Sequence, residues 1–254
     1  MTTPTATPQR IAVLSDVHGN LEALRAVLAD MDALGLTRIV NLGDMVGYGP
    51  EPDACVRLLR ERGAESVLGN HELGLVEAQA RNWFNPQAKK ALDRTRTLLS
   101  DDSLMYFRTL PRTLTVEGAL CVHGCPPGLV SKYLYELDEA DFRETFALYP
   151  NRLCFAGHTH ELERISLTST GKIERKGLGK GVLELAPYAR HIINAGAVGQ
   201  PRDGNNKAKY LVWETETESS PARIEVRFVA YDIARTAAGI IEKGLPTVYA
   251  DRLW

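Results

Sequence analysis

The chain has 254 residues, 30 basic and 32 acidic, for a formal net charge of -2, and 44% of it is hydrophobic. That balance describes a globular chain long enough to bury a full core, and nothing in it favours a polyanionic partner such as a nucleic acid. No window nears the ~20 apolar residues of a membrane span, the start "MTTPTATPQR" lacks a secretory signal, and the four cysteines show no C-x-x-C spacing, so a cytoplasmic chain with reduced thiols is expected.

Residues 1–9, rich in Thr and Pro, predict a disordered arm, and residues 10–254 a single domain. "RIAVLSD" predicts a buried strand, and "NLEALRAVLADMDALG" a helix capped by Asn20 with Leu21, Leu24, Leu28, Met31 and Leu34 on one face. The strand "TRIVNLGD", the helix "EPDACVRLLRERG" and the strand "AESVLGN" continue a βαβαβ alternation, so this half is α/β with a parallel sheet. A helix is expected from Asn85 to Ser100, then a hairpin turning at Glu117-Gly118, a helix over "LDEADFRETFALY" and the strand "RLCFAG". Six further strands follow, "ERISLT", "KIERKG", "GVLEL", "RHIINAG", "AKYLVWETE" and "RIEVRFVAY", closed by the helix "DIARTAAGIIEKG". Two sheets between layers of helix are therefore expected.

The chemistry stands where the apolar strands end. Asp16 and His18 follow the first, Asp44 the second, Asn70 and His71 the third, His123 the hairpin, and His158 and His160 the strand after it. Open α/β sheets gather functional groups at the carboxyl ends of their strands, so these residues converge on one crevice. Five of the chain's six histidines belong to the set. Two carboxylates, four or five imidazoles and an amide are too many ligands for one tetrahedral zinc and suit two ions, one carboxylate bridging both. Asp16 with His18, and His158 with His160, sit at i and i+2, where an extended segment points side chains the same way.

The segments "DVHGN", "GDMVGYGP", "GNHE", "VHG" and "GHTH" resemble, in order, the motifs of the calcineurin-like metallophosphoesterase superfamily. The resemblance spans residues 11 to about 204, and "GDMVGYGPEP" and "GAVGQPRDG" are most similar to its small bacterial and archaeal phosphoesterases. It implies a four-layer αββα sandwich of two mixed sheets. It also implies one metal on Asp16, His18 and His160, a second on Asn70, His123 and His158, Asp44 between them, and His71 facing the phosphate. Where relatives often have Asn-Pro-Gly-Ser, this chain has Asn194-Ala195-Gly196-Ala197, which removes any hydroxyl at 197.

Such a centre hydrolyses phosphoesters, because two ions lower the pKa of a bound water from 15.7 toward ~7 and stabilise an in-line displacement. Asp44 and His71 are the catalytic candidates, with Asn70, His71 and Arg202 toward the substrate. His71 is placed to protonate or stabilise the leaving oxygen. Manganese, iron, zinc and nickel all suit these N/O ligands. The expected partner is a small phosphorylated molecule, monoester or diester, and the oligomeric state is not set by the sequence. Trp83, Tyr133 and Tyr135 are candidates for an aromatic wall. His191 lies outside every motif and is read as a hydrogen-bonded strand residue. Competing readings are a scaffold that has lost turnover, a protein phosphatase, and a nuclease, the last disfavoured by the lack of a basic stripe.

Overall fold

The computed structural model describes residues 7–218 and 220–254. Most of the arm expected over residues 1–9 lies outside the described residues; Gln9 within it exchanges hydrogen bonds with Thr215, its peptide N–H reaching Thr215 Oγ1 at 2.9 Å.

Strands β1 (Arg10–Leu14), β2 (Arg38–Asn41) and β3 (Glu65–Ser66) alternate with helices α1 (Leu21–Ala33) and α2 (Pro52–Glu61) and run parallel. Helices α3 (Asn70–Val76), α4 (Pro86–Thr97) and α5 (Asp101–Phe107) precede the hairpin of β4 (Thr113–Val116) and β5 (Ala119–Val122). Positive φ at Glu117 (44°) and Gly118 (77°) gives that two-residue turn the twist a tight hairpin needs. Helix α6 (Glu139–Ala147) leads into β6 (Leu153–Ala156), β7 (Leu162–Leu167), β8 (Ile173–Gly177), β9 (Gly181–Glu184), β10 (Arg190–Ala195), β11 (Ala208–Glu214) and β12 (Arg223–Val229). Helices α7 (Ile233–Glu242) and α8 (Val248–Asp251) close the chain.

The strands form two six-stranded mixed sheets, ordered β3-β2-β1-β11-β12-β9 and β4-β5-β6-β10-β7-β8. Each has a parallel core, β3-β2-β1 in one and β5-β6-β10 in the other.

Period-two alternation shows how the layers stack. Ile11 and Val13 of β1 join Cys121, Phe155 and Ile193 in a core between the sheets, whereas Ala12 and Leu14 face α1 through Leu24, Val27 and Met31. On the second sheet Cys154 and Ile192 face the opposite way, onto Phe142 and Phe146 of α6. The order is therefore helix, sheet, sheet, helix. Phe155 packs on Trp213 across the sandwich with ring centroids 5.0 Å apart; truncating such a buried ring costs about 3–5 kcal/mol.

Two expectations change at element ends. The strand over "AESVLGN" shrinks to two residues because the chain leaves the sheet at Val67: Leu68 N–H turns to the Pro111 carbonyl (2.8 Å), and Asn70 opens α3. The helix expected over residues 85–100 stops at Thr97, since Ser100 Oγ accepts the Ser103 N–H at 3.2 Å and caps a new helix, α5. Asn20 and Asn85 cap α1 and α4 as expected, accepting N–H groups at 3.1 and 2.9 Å.

Candidate metal centre

All seven candidate ligands stand just past the C-terminal ends of parallel strands, and all are buried. Their backbone is unusual. Asp16, His18, Asp44, His158 and His160 have φ between 52° and 70°, in the left-handed region. At roughly 1–2 kcal/mol per L-residue, five such turns cost an amount comparable with a domain's net stability of ~5–15 kcal/mol. Strain of that size persists where it re-aims side chains toward a task. Tight glycines make room for the turns. A Cβ on Gly157 would lie 1.9 Å from Ser15 Oγ, and one on Gly47 2.3 Å from His71 Nδ1.

The hydrogen bonds decide which atoms face inward. Carbonyl oxygens only accept, so His18 Nδ1–H donates to Val46 (3.0 Å), His123 Nδ1–H to Leu42 (2.8 Å) and His160 Nδ1–H to Gln200 (2.6 Å). In the neutral rings Nε2 is left as a bare lone pair. His158 is reversed, with Nε2–H donating to Ser131 (3.2 Å), which leaves Nδ1 bare. Asp16 Oδ2 accepts Ser15 Oγ–H (2.6 Å) and the His158 N–H (2.9 Å), while Oδ1 is buried with no hydrogen-bond partner.

That orphaned oxygen lies 3.2 Å from His160 Nε2 and 3.5 Å from His18 Nε2, and the two nitrogens are 3.0 Å apart. Three lone-pair atoms packed this closely repel one another unless a cation sits among them. Asp16, His18 and His160 thus fit a metal ion. Asp44, His123 and His158 form a second such group. His123 Nε2 is 3.2 Å from Asp44 Oδ2 and 2.9 Å from Asn70 Oδ1, which adds the amide oxygen. Asp44 Oδ1 accepts the His71 N–H (2.9 Å), and Oδ2 is 3.7 Å from His18 Nε2, so this oxygen faces both groups.

Charge balance points the same way. Burial alone would raise both aspartates, but the surrounding imidazoles outweigh it and hold Asp16 and Asp44 below the usual carboxylate range. Burial, against the pull of the carboxylates, drops His158 to about 3 and His160 to about 4. For His123 the pull of Asp44 and Asp16 overcomes burial and lifts it to about 9. The carboxylates hold the His123 proton where burial alone would expel it, and a cation placed in the cluster would feel the same pull.

His71 stands slightly back. Its Nε2 is 4.0 Å from Asp44 Oδ2, and with His18 and Asp44 it offers a third grouping of ligand-type atoms. Its ring is gripped edge-on by Phe84 (5.0 Å) and Tyr48 (4.6 Å). Arg202 lies on the loop after β10, its peptide N–H donating to the His160 carbonyl (3.2 Å) and its side chain lining the adjoining cavity. Asp203 pairs with the buried Lys209 (2.5 Å), and among the described residues the Arg202 guanidinium forms no ion pair. Tyr133 stacks on His158 (3.8 Å) and Tyr135 on Tyr133 (4.7 Å), and Trp83 shares a recess with Tyr133 and His158. His191 is apart, at the other end of β10.

Three residues were given no role by sequence reasoning. Glu72 is buried and accepts the N–H groups of Asp44 (2.9 Å), Gly69 (3.0 Å) and Val46 (3.2 Å), fixing the Asp44 turn to α3. Burial and Asp44 raise its carboxyl to about 8. Its signal was its place at the end of "GNHE", three residues after Gly69. Asn194 donates through Nδ2 to the Gly157 carbonyl (2.7 Å) and Thr159 Oγ1 (2.9 Å), clamping the His158–His160 turn. Tyr48 lies 4.4 Å from the His18 ring and stacks on Tyr249 at 4.3 Å, a contact across some two hundred residues that no local pattern shows.

The family model of the calcineurin-like phosphoesterase superfamily domain matches residues 10–218. The chain is 33% identical over 249 residues to an uncharacterized protein of Methanocaldococcus jannaschii, covering 96% of this chain and 97% of that one. The crystal structure of a metallophosphoesterase from Sphaerobacter thermophilus is similar at 36% identity and TM-score 0.81, over 96% of this chain and 98% of that one. A hypothetical protein from Pyrococcus horikoshii shares the fold at 17% identity and TM-score 0.76, over 96% and 97% of the two chains. With the family model spanning β1 to β11 and every strand-end residue of the cluster, the chain belongs to the calcineurin-like phosphoesterase superfamily.

Proposed function

We propose that the protein hydrolyses a phosphoester of a small molecule with two divalent transition-metal ions held in this cluster. The observation that carries the reading is Asp44 Oδ2, set between two ligand groups at 3.7 Å from His18 Nε2 and 3.2 Å from His123 Nε2. When bound, such a pair of ions supplies hydroxide at neutral pH and offsets charge on the phosphoryl oxygens. Asp16, His18 and His160 would hold one ion, Asn70, His123 and His158 the other, and Asp44 both. Asn70 adds a ligand oxygen without a negative charge that would repel the substrate.

The rings of His71, Tyr48 and Phe84 wall one side of the cluster and would orient the substrate. Burial, reinforced by the neighbouring imidazoles and opposed by Asp44, lowers His71 to about 3, so the ring meets the substrate neutral. It then acts as an N–H donor to the oxygen on which charge grows, toward the leaving side. Arg202, on the loop that meets the His160 turn, adds a cation on the substrate side of the cluster. A scaffold without turnover has no use for a buried imidazole held beside the ligands with its Nδ1 unpartnered.

Four free, buried cysteines support a reducing compartment, the cytoplasm. Among the described residues no helix is long and apolar enough to cross a membrane. The test is to load the chain with manganese, zinc, nickel or iron, count bound ions by elemental analysis, and assay nitrophenyl phosphate and bis-nitrophenyl phosphate. Two ions with turnover are expected; one ion or none after every loading, with no turnover, would overturn the reading.

A further inference from the structure

A cavity of about 650 Å³ opens beside the cluster, and Tyr48 and Tyr133 line both it and the smaller recess that holds Asn70 and His158. A phosphoryl group needs only a small part of that space; the volume lies within the ~300–1,000 Å³ of sites that enclose a whole small molecule. The far wall comes from the end of the chain, where Tyr249, Arg252 and Trp254 face Arg202 and Tyr48. These wall residues lie beyond residue 218, where the family match ends.

Charge among the lining side chains is one-sided. They include Arg202 and Arg252 and no Asp or Glu, in a chain whose acids outnumber its bases. Among the described residues neither guanidinium has a carboxylate partner, although surface arginines such as Arg81, Arg175 and Arg227 are paired. The two cations are graded outward. Arg202 sits on the loop whose peptide N–H meets the His160 carbonyl (3.2 Å), and the Arg252 guanidinium lies over the Tyr249 ring, 5.6 Å from its centroid.

Aromatic surface is concentrated here as well. Trp83 (57% exposed) lines the recess and Trp254 (71%) the cavity, Tyr135 (58%) stacks on the cavity-lining Tyr133, and Trp213 is buried in the sandwich. Large exposed rings grouped around adjoining openings mark a binding surface. Flat rings with unpaired guanidinium groups match a ligand that is both planar and anionic.

Building on the function proposed above, we infer that this cavity is a subsite for a leaving group of nucleotide type, with its own phosphate between Arg202 and Arg252 and its base against the aromatic wall. The phosphorus attacked at the cluster would then be joined through oxygen to a nucleotide. Water adds its hydroxyl to that phosphorus, the P–O bond to the nucleotide breaks, and the departing oxygen takes the proton. Arg252, Tyr249 and Trp254 thereby set specificity.

The full chain is titrated with AMP, adenosine and ribose 5-phosphate, with metals bound and again after chelation, following tryptophan fluorescence. AMP is expected to bind at least tenfold tighter than either fragment. Arg252→Gln, a change at an exposed residue, should weaken AMP about tenfold and adenosine little, with Arg252→Lys between. AMP binding no tighter than adenosine, or insensitive to Arg252→Gln, would overturn the subsite. So would AMP affinity that vanishes on chelation, since the phosphate would then sit on the metals. If the chain takes up no metal and turns nothing over while AMP binding still depends on Arg252, the subsite stands and the phosphoesterase reading falls.

Discussion

Strands β6 and β10 run side by side and carry histidines at both ends. At the starting end His191 pairs with Leu153; past the other end, after Ala156, come His158 and His160. All three rings are buried. His191 spends both nitrogens, Nδ1 on Ser166 Oγ (2.9 Å) and Nε2 on the Ala186 carbonyl (3.2 Å), on ordinary backbone geometry. His160 spends one nitrogen on a carbonyl, keeps the other bare toward a bare carboxylate oxygen, and sits at φ 62°. Burial therefore does not make a histidine a ligand. What separates the two is an unpartnered nitrogen aimed at other unpartnered atoms, held there by backbone strain.

The sharpest way to break that contrast is to remove the atom at its centre. Asp44→Asn should lose both ions and bring turnover to background, a greater loss than the ~10–100-fold typical when only a ligand's supporting partner is removed. Elemental analysis and rates after loading check this together. Two ions retained at normal affinity would show that the oxygen between the groups does not hold them.

His71 lies between the classes, buried beside the ligands yet set back from them. His71→Ala is expected to keep both ions and lose ~10²–10⁴-fold toward alkyl phosphates, less toward nitrophenyl phosphate, because a donor to the leaving oxygen matters most where charge accumulates. Equal losses along a series of leaving groups would move its contact to the phosphoryl oxygens. Loss of an ion would make it a ligand, as its grouping with His18 and Asp44 allows.

Asn194 sharpens the contrast at the next layer, since its Nδ2 holds the turn that carries the ligands while its Oδ1 accepts the Gly196 N–H (3.1 Å). Asn194→Ala should weaken metal affinity by ~10–100-fold with the fold intact, read by competition with a chelator while circular dichroism reports structure. Unchanged affinity would mean that the His158–His160 turn holds itself.

The ligand end was legible because each group directly follows an apolar run, so Asp16, Asp44, His123 and His158 could be placed by counting from strand ends. The βαβαβ start was legible for the same local reason. The sheet order was not. β11 enters between β1 and β12, and β10 between β6 and β7, through pairings such as Arg10 with Glu214 that local periodicity does not encode. The cavity wall was hidden likewise: Tyr249 meets Tyr48 only because α7 and α8 fold back over the first sheet's loops. Asn194 and Glu72 were visible as residues, but their roles depend on which carbonyl and N–H groups the turns bring to them.

The smallest effect tests the other end of the strand. Burial lowers the His191 pKa, with Arg164 and Arg152 adding to it and the Ala186 carbonyl opposing it. In the unfolded chain the ring takes its proton near the ordinary ~6.5. Above that pH neither state binds the proton and the full stability is present; as pH falls below it, the unfolded chain gains a proton that the native ring refuses. Stability is then lost, by up to about 1.4 kcal/mol per pH unit for one proton. His191→Gln keeps an amide able to bond Ser166 and Ala186 but has nothing to titrate. Its stability, from urea unfolding at pH 7.5, 6.5 and 5.5, should therefore fall less steeply with acid than that of the unaltered chain, while the cluster histidines titrate alike in both and cancel in the difference. Metal content and specific activity should stay unchanged. Parallel pH curves would show that the buried ring protonates as readily as a free one, and a lost ion would tie this end of the strand to the chemistry at the other.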